Sequence, residues 1–128
     1  MQLLVDTHAL LWFFSGNSSL SDRVRDLMED TQHQKLVSIA SVWEMTIKQT
    51  QQKLILPMNA ADYVREKVQW VDFELLPIDL NHLDVLYTLP LHHRDPFDRL
   101  LIAQAIYENS PILSKDKMFD AYPVRRYW

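Results

Sequence analysis

The sequence predicts an α/β fold in which a parallel sheet is covered by helices on both faces. Three observations carry this. Short apolar runs alternate along the chain with amphipathic or apolar segments of helical length, in the order strand, helix, strand, two helices, strand, helices, strand. The first run, Leu3-Leu4-Val5, is apolar throughout rather than alternating, as a strand buried on both faces requires. Nearly half of the 128 residues, 48%, are apolar and no Pro/Gly-rich linker interrupts them, so residues 1–128 are expected to form a single domain around one core.

Taken in order, the strand at 3–5 runs through Asp6-Thr7-His8 into an apolar helix, Ala9 to Phe14. Gly16, the only glycine, sits in the turn cluster Ser15-Gly16-Asn17-Ser18-Ser19. Residues 21–32 place Val24, Leu27 and Met28 at helical spacing among charges, which predicts a surface helix. A strand at 36–39 leads into a helix over 40–52, and a further helix is expected over 60–70. Phe73 to Ile78 reads as a strand, and Pro77 makes it short or places it near a sheet edge. Asp79 caps a helix carrying Leu83, Leu86 and Tyr87. The helix from Pro96 to Ile106 is apolar on most of its circumference, a strand follows at 111–114, Asp116 to Phe119 forms a helical turn, and 124–127 forms a last strand.

Composition removes several chemistries. With no cysteine there is no disulfide, zinc-thiolate site or thiol nucleophile, and with one glycine there is neither GxGxxG nor GxxxxGK[ST]. A basic n-region followed by an apolar core is absent, as is any apolar run near 18 residues, so a cytoplasmic protein without membrane spans is expected. The net charge of −4 disfavours a broad basic coat. Cations nevertheless gather in the last third, at Arg94, Arg99, Lys115, Lys117, Arg125 and Arg126, either as a local phosphate-binding rim or as ordinary solvated charges.

Reactive side chains follow the strands. Asp6 ends the first, Glu44 lies one turn into the helix after the second, Asp79 ends the third and Asp116 follows the fourth. Asp98 opens the helix before that last strand and, at about 100° per residue, shares a column with Ile102 and Ala105, so its charge faces the packed side. Local roles compete with chemical ones: Ser41-Val42-Trp43-Glu44 fits a capping box, and Asp95-Pro96 fits an N-cap followed by proline. Capping does not account for the convergence of Asp6, Glu44, Asp98 and Asp116 on one end of a parallel sheet. Four carboxylates there repel one another and call for a cation, and an all-oxygen set suits Mg²⁺ or Mn²⁺. Phosphodiester hydrolysis by metal-activated water fits this inventory best.

Four segments together carry a resemblance: Val5-Asp6-Thr7; Ser38-Ile39-Ala40-Ser41-Val42-Trp43-Glu44; His93-Arg94-Asp95-Pro96-Phe97-Asp98-Arg99-Leu100-Leu101-Ile102-Ala103-Gln104-Ala105; and Leu113-Ser114-Lys115-Asp116. In this order and separation they resemble PIN-domain ribonucleases of the VapC-like toxin type. The resemblance implies a three-layer sandwich around a parallel sheet of about five strands, with a Mg²⁺/Mn²⁺-dependent endoribonuclease site at its carboxyl edge. It assigns Asp6, Glu44, Asp98 and Asp116 as the four acids, with Ser114, Thr7 and Asp95 in supporting roles. A metal would be held by Asp6, Asp98 and Asp116, while Glu44 binds a second ion or positions water. It further implies an RNA substrate, a homodimer and a cognate antitoxin that blocks the acidic cleft.

Two rival readings remain. A response-receiver module would use Asp79 as phosphoacceptor with Lys115 nearby, and a PIN-like domain without catalysis would only bind RNA or a partner. His8, close after Asp6, and His92-His93, ahead of the Asp95-Asp98 segment, are open to a general-acid or metal role but are read as structural or surface histidines, and Trp12-Phe13-Phe14 as core or dimer interface in preference to a base-stacking platform.

Overall fold

The computed structural model describes residues 1–69 and 72–128. Five strands, β1 (Gln2–Val5), β2 (Gln34–Ser38), β3 (Phe73–Leu76), β4 (Ile112–Leu113) and β5 (Arg126–Tyr127), form one parallel sheet in the order β3-β2-β1-β4-β5. Among the described residues six α-helices connect them: α1 (Thr7–Ser15), α2 (Asp22–Glu29), α3 (Ile39–Thr50), α4 (Ala60–Lys67), α5 (Leu80–Thr88) and α6 (Pro96–Tyr107). A 3-10 helix, Lys117–Ala121, separates the last two strands. No helix among the described residues is long and apolar enough to cross a membrane.

The sandwich follows from alternation within the strands. Leu3 and Val5 of β1 pack with Val37 and Leu113 against Ala9 and Leu10 of α1, Val24 and Met28 of α2, and Val64 of α4. Leu4 faces the opposite way and joins Leu36, Ile112, Leu101, Ile102, Ala105 and Phe119. Because β1 is central, both sets are wholly buried and its apolar run is explained. Residues 100–105 of α6 are buried almost all round. Gln104 is the polar member, and it is satisfied: its Oε1 accepts from Ser38 Oγ at 2.5 Å and its Nε2 donates to the Pro77 carbonyl at 3.3 Å.

Trp12, Phe13 and Phe14 are partly buried against the first core. Phe13 and Phe14 lie 6.2 and 5.5 Å from the Phe73 ring, which matches the packing reading for that pair.

Several boundaries shift from the expected ones. Ile39 is not the end of a strand but the first residue of α3, because the Ser38 hydroxyl accepts the Ala40 N–H and caps the helix there. The helix expected over 60–70 ends at Lys67 with Val68 as its cap, and Trp70 lies outside the described residues. β3 stops at Leu76, one residue before Pro77, and is an edge strand as the proline suggested. The last strand is confined to Arg126–Tyr127.

Strand order decides the receiver rival. The chain adds β2 and β3 on one side of β1, then crosses to add β4 and β5 on the other, so the switch point lies between β1 and β4. A receiver has the order 2-1-3-4-5. Asp79 follows the edge strand β3, far in sheet order from β4, and its carboxylate is occupied in capping α5 through Asn81 and His82. Ligands of open α/β sheets bind at the carboxyl ends beside the switch point, which here is where Asp6, after β1, and Ser114-Lys115-Asp116, after β4, emerge.

Candidate metal centre

Asp6 is 8% exposed and caps α1, its Oδ1 accepting from Ala9 N at 2.8 Å. Burial raises its pKa above the ordinary carboxylate range, and the Glu44 charge adds to the rise. The Ser114 hydroxyl and the Ala9 amide oppose it by hydrogen-bonding the charged form. Ser114 is fully buried, and its Oγ also accepts the Asp116 N–H at 3.1 Å. One hydroxyl therefore ties the acid after β1 to the backbone of the acid after β4.

Glu44 is not part of a capping box. The N-cap of α3 is Ser38, and the Ser41 hydroxyl is buried with no hydrogen-bond partner among the described residues. Glu44 is instead gripped from two sides: Thr7 Oγ1 donates to Oε1 at 2.8 Å and Lys48 Nζ to Oε2 at 2.8 Å. Beside it, Trp43 meets Phe97 edge to face at 5.0 Å, which sets the start of α3 against the start of α6.

Asp95 caps α6 as its sequence context suggests, with Oδ1 accepting from Phe97 N and Asp98 N at 2.9 and 3.1 Å. It is exposed and acts by fixing the turn that carries Asp98. Asp98 itself has its pKa pushed up to about 6. Burial is the main cause, Asp95 and Glu44 add to it, and the hydrogen bond and charge of His93 pull it back. His93 Nε2 lies 2.7 Å from Asp98 Oδ2 and 4.0 Å from Asp116 Oδ2.

His93 sits on a loop that is pinned from beneath. Arg99 donates to the carbonyls of Leu89 and Pro90, and the Tyr122 hydroxyl donates to Pro90 as well. The imidazole rests against Phe119 at 5.9 Å. His92, by contrast, packs on Tyr122 at the surface, and His8 is exposed beside Trp12.

The donor atoms of His93, Asp98 and Asp116 lie within 4.8 Å of one another, and no other three such residues do so among the described residues. Asp6 and Glu44 stand outside this group, and both are hydrogen-bonded within the protein, Asp6 to Ala9 and Ser114 and Glu44 to Thr7 and Lys48. They remain close enough to act on it. Glu44 raises the pKa of both Asp6 and Asp98, and Asp6 and Asp116 line the same cavity of about 300 Å³ with His8, Trp12 and Lys115. Carboxylates held near one another at the cost of raised pKa values are a donor set that a hard divalent cation would relieve. The imidazole among them suits Mn²⁺ more than Mg²⁺.

Of two further members of this arrangement, Lys48 escapes sequence reasoning, and His93, read there as structural or surface in preference to a metal role, stands with Asp98 and Asp116. Lys48 carries a signal, the Glu-to-Lys spacing of four along a helix, but such pairs are common on solvated faces. His93 depends on the path of the 89–95 loop, which no periodicity reports. Of the basic rim, Arg99 points inward to the loop carbonyls and Arg126 is committed to Asp120 and the Ser114 carbonyl, so neither serves as a free phosphate contact.

Known structures share this architecture. VapBC from Salmonella typhimurium, solved bound to DNA, superposes with a TM-score of 0.74 at 13% identity over 99% of this chain and 97% of that one. VapBC2 from Rickettsia felis, bound to a DNA fragment from their promoter, gives a TM-score of 0.73 at 12% identity over 99% and 98%. A toxin-antitoxin complex from Klebsiella pneumoniae gives 0.64 at 17% identity over 94% and 92%. No curated protein matches the chain in sequence. The family model of the PIN domain matches residues 3–124, which span all four acids, and the chain belongs to the PIN domain family.

Proposed function

We propose that this PIN domain is a divalent-metal-dependent endoribonuclease and the toxin of a toxin-antitoxin pair. The observation that carries the reading is the meeting of His93, Asp98 and Asp116 within 4.8 Å beside the buried acids Asp6 and Glu44, at the sheet's switch point. PIN domains are nucleases, which supports hydrolysis of nucleic acid as the reaction class. Likeness in fold to VapBC and to a toxin-antitoxin complex supports an antitoxin as partner.

Asp98, Asp116 and Asp6, with His93, would hold Mg²⁺ or Mn²⁺. When bound, the ion supplies Lewis-acid polarisation of the phosphodiester and makes water a better nucleophile at neutral pH. Glu44, fixed by Thr7 and Lys48, orients the attacking water and draws off its proton. The new bond forms between water oxygen and phosphorus as the bond to the 3′ oxygen breaks, leaving a 5′-phosphate and a 3′-hydroxyl that has taken up a proton. Ser114 keeps Asp6 and the backbone of Asp116 in register, and Asp95 holds the helical turn from which Asp98 projects.

A homodimer and a cytoplasmic location complete the proposal. Support for the dimer comes from the exposed apolar side chains Leu80, Tyr87 and Leu91, which are 77, 92 and 82% exposed on and after α5. The test is cleavage of single-stranded RNA by the purified protein. Activity with Mg²⁺ or Mn²⁺, its loss in EDTA and its loss in Asp98→Asn are expected; equal activity in Asp98→Asn would overturn the assignment.

A further inference from the structure

Beside the acidic cleft lies a second cavity, of about 420 Å³, lined by Arg23, Lys115, Lys117, Arg126 and Trp128. Four of its five lining residues are cations, in a protein whose net charge is −4. Lys115 lines both this cavity and the one that holds Asp6 and Asp116, so the two adjoin at that side chain. Trp12 of the first cavity meets Trp128 of the second edge-on at 5.9 Å.

The pocket has a rigid frame and unspent charge. Arg126 grips both oxygens of Asp120 at 2.8 and 3.0 Å and the Ser114 carbonyl at 3.1 Å, which ties β5 to the 3-10 helix and to the end of β4. Arg23 lies over the Tyr127 ring at 4.7 Å and Lys115 near the Trp12 ring at 5.8 Å. Neither these two nor Lys117 makes a salt bridge among the described residues. Three cations outside any salt bridge among the described residues, in a pocket with the aromatic rings of Tyr127, Trp12 and Trp128 around it and beside the acidic cleft, have the composition of a single-strand binding groove.

We propose that this pocket holds backbone phosphates of single-stranded RNA where the strand leaves the acidic cleft, with Arg23, Lys115 and Lys117 as the phosphate-binding residues and Trp128 as an adjacent apolar wall. The inference rests on the endoribonuclease reading for its substrate and is tested without using cleavage.

A short fluorescent single-stranded RNA is titrated with the protein in EDTA across a range of salt concentrations. Lys115→Ala/Lys117→Ala is expected to weaken binding at least roughly tenfold and to lower the slope of log K against log salt by about 1.4, at about 0.7 for each phosphate no longer neutralised. Arg23→Ala is expected to act in the same direction. Arg65→Ala/Lys67→Ala, which removes two cations of α4 that line neither cavity, matches the change in net charge and is expected to leave binding near the parent value. Equal losses in Lys115→Ala/Lys117→Ala and the control overturn the pocket, as does a parent protein that binds an acidic peptide here but no RNA. Failure of the endoribonuclease reading registers separately, as absent metal-dependent cleavage by the parent.

Discussion

One nitrogen of His93 faces two carboxylates: Nε2 lies 2.7 Å from Oδ2 of Asp98 and 4.0 Å from Oδ2 of Asp116. Removing the ring takes away the hydrogen bond that lowers the Asp98 pKa and leaves burial to raise it further. His93→Ala is expected to weaken Mn²⁺ binding by about 10- to 100-fold, the usual cost of losing a group that orients or completes a metal site. Calorimetric titration at pH 7 measures it, and an unchanged affinity would remove His93 from the centre.

Asp98 titrates at about 6 in the folded chain against 3.8 as a free side chain, so between these values the folded state holds more protons than the unfolded one. Stability of the metal-free protein is therefore expected to fall as pH rises from about 4 to about 6 through this group, and Asp6, shifted in the same direction, adds to the fall. Added Mn²⁺ acts the other way, because it binds the deprotonated acids, and its affinity should rise with pH up to about 6 and then level. Thermal melts with and without metal at several pH values read both trends. Asp98→Asn should flatten the metal-free profile and raise the melting temperature at pH 7.

Thr7 is buried and donates to Glu44 across 37 residues of sequence. Thr7→Val preserves shape and leaves Oε1 without its partner, so a loss of about 1–2 kcal/mol in urea denaturation is expected. RNA cleavage should fall with it, since Glu44 is then held only through Lys48. A variant that loses stability but retains full cleavage would show that Glu44 does not need this restraint.

The sequence is most legible where a rule is local. Asp95-Pro96 marks the start of α6, the apolar run at 3–5 marks the central strand, and Asp98 in a column with Ile102 and Ala105 marks a charge turned toward packing. It is least legible where two local rules overlap. Ser41 and Glu44 have capping-box spacing, but Ser38 already caps α3 because β2 ends one residue earlier than its apolar run suggests, and this frees Glu44 for Thr7. The approach of His93 to Asp98 is closed by the loop that Arg99 and Tyr122 anchor, a tertiary event without a linear signature. Strand order is equally non-local, and together with the two helices between β2 and β3 it separates this fold from a receiver.

Lys35, in the middle of β2, is fully buried and pairs with Asp72, while its ammonium also donates to the Asp30 carbonyl. Burial lowers its pKa, so its charge depends on those partners. Asp72→Ala is expected to cost about 3–5 kcal/mol by stranding the charge, whereas Lys35→Met/Asp72→Ala, which removes both charges, should be far milder. Chemical denaturation of the two variants compares them directly, and equal losses would contradict the desolvation account.

Two of the acids also serve as helix N-caps. Asp6 gives Oδ1 to the first turn of α1, and Asp116 gives Oδ1 to Met118 while its Oδ2 turns toward His93. Asparagine retains a carbonyl oxygen for the amide but surrenders the negative charge, so exchanging Asp for Asn at either position separates architecture from reactivity in one atom. Glutamate, which retains the charge, is one methylene too long to reach the same amide. At these positions the gentler replacement for the fold is the harsher one for the proposed chemistry, and a chain altered in this way would keep its shape, and with it whatever surface a partner recognises.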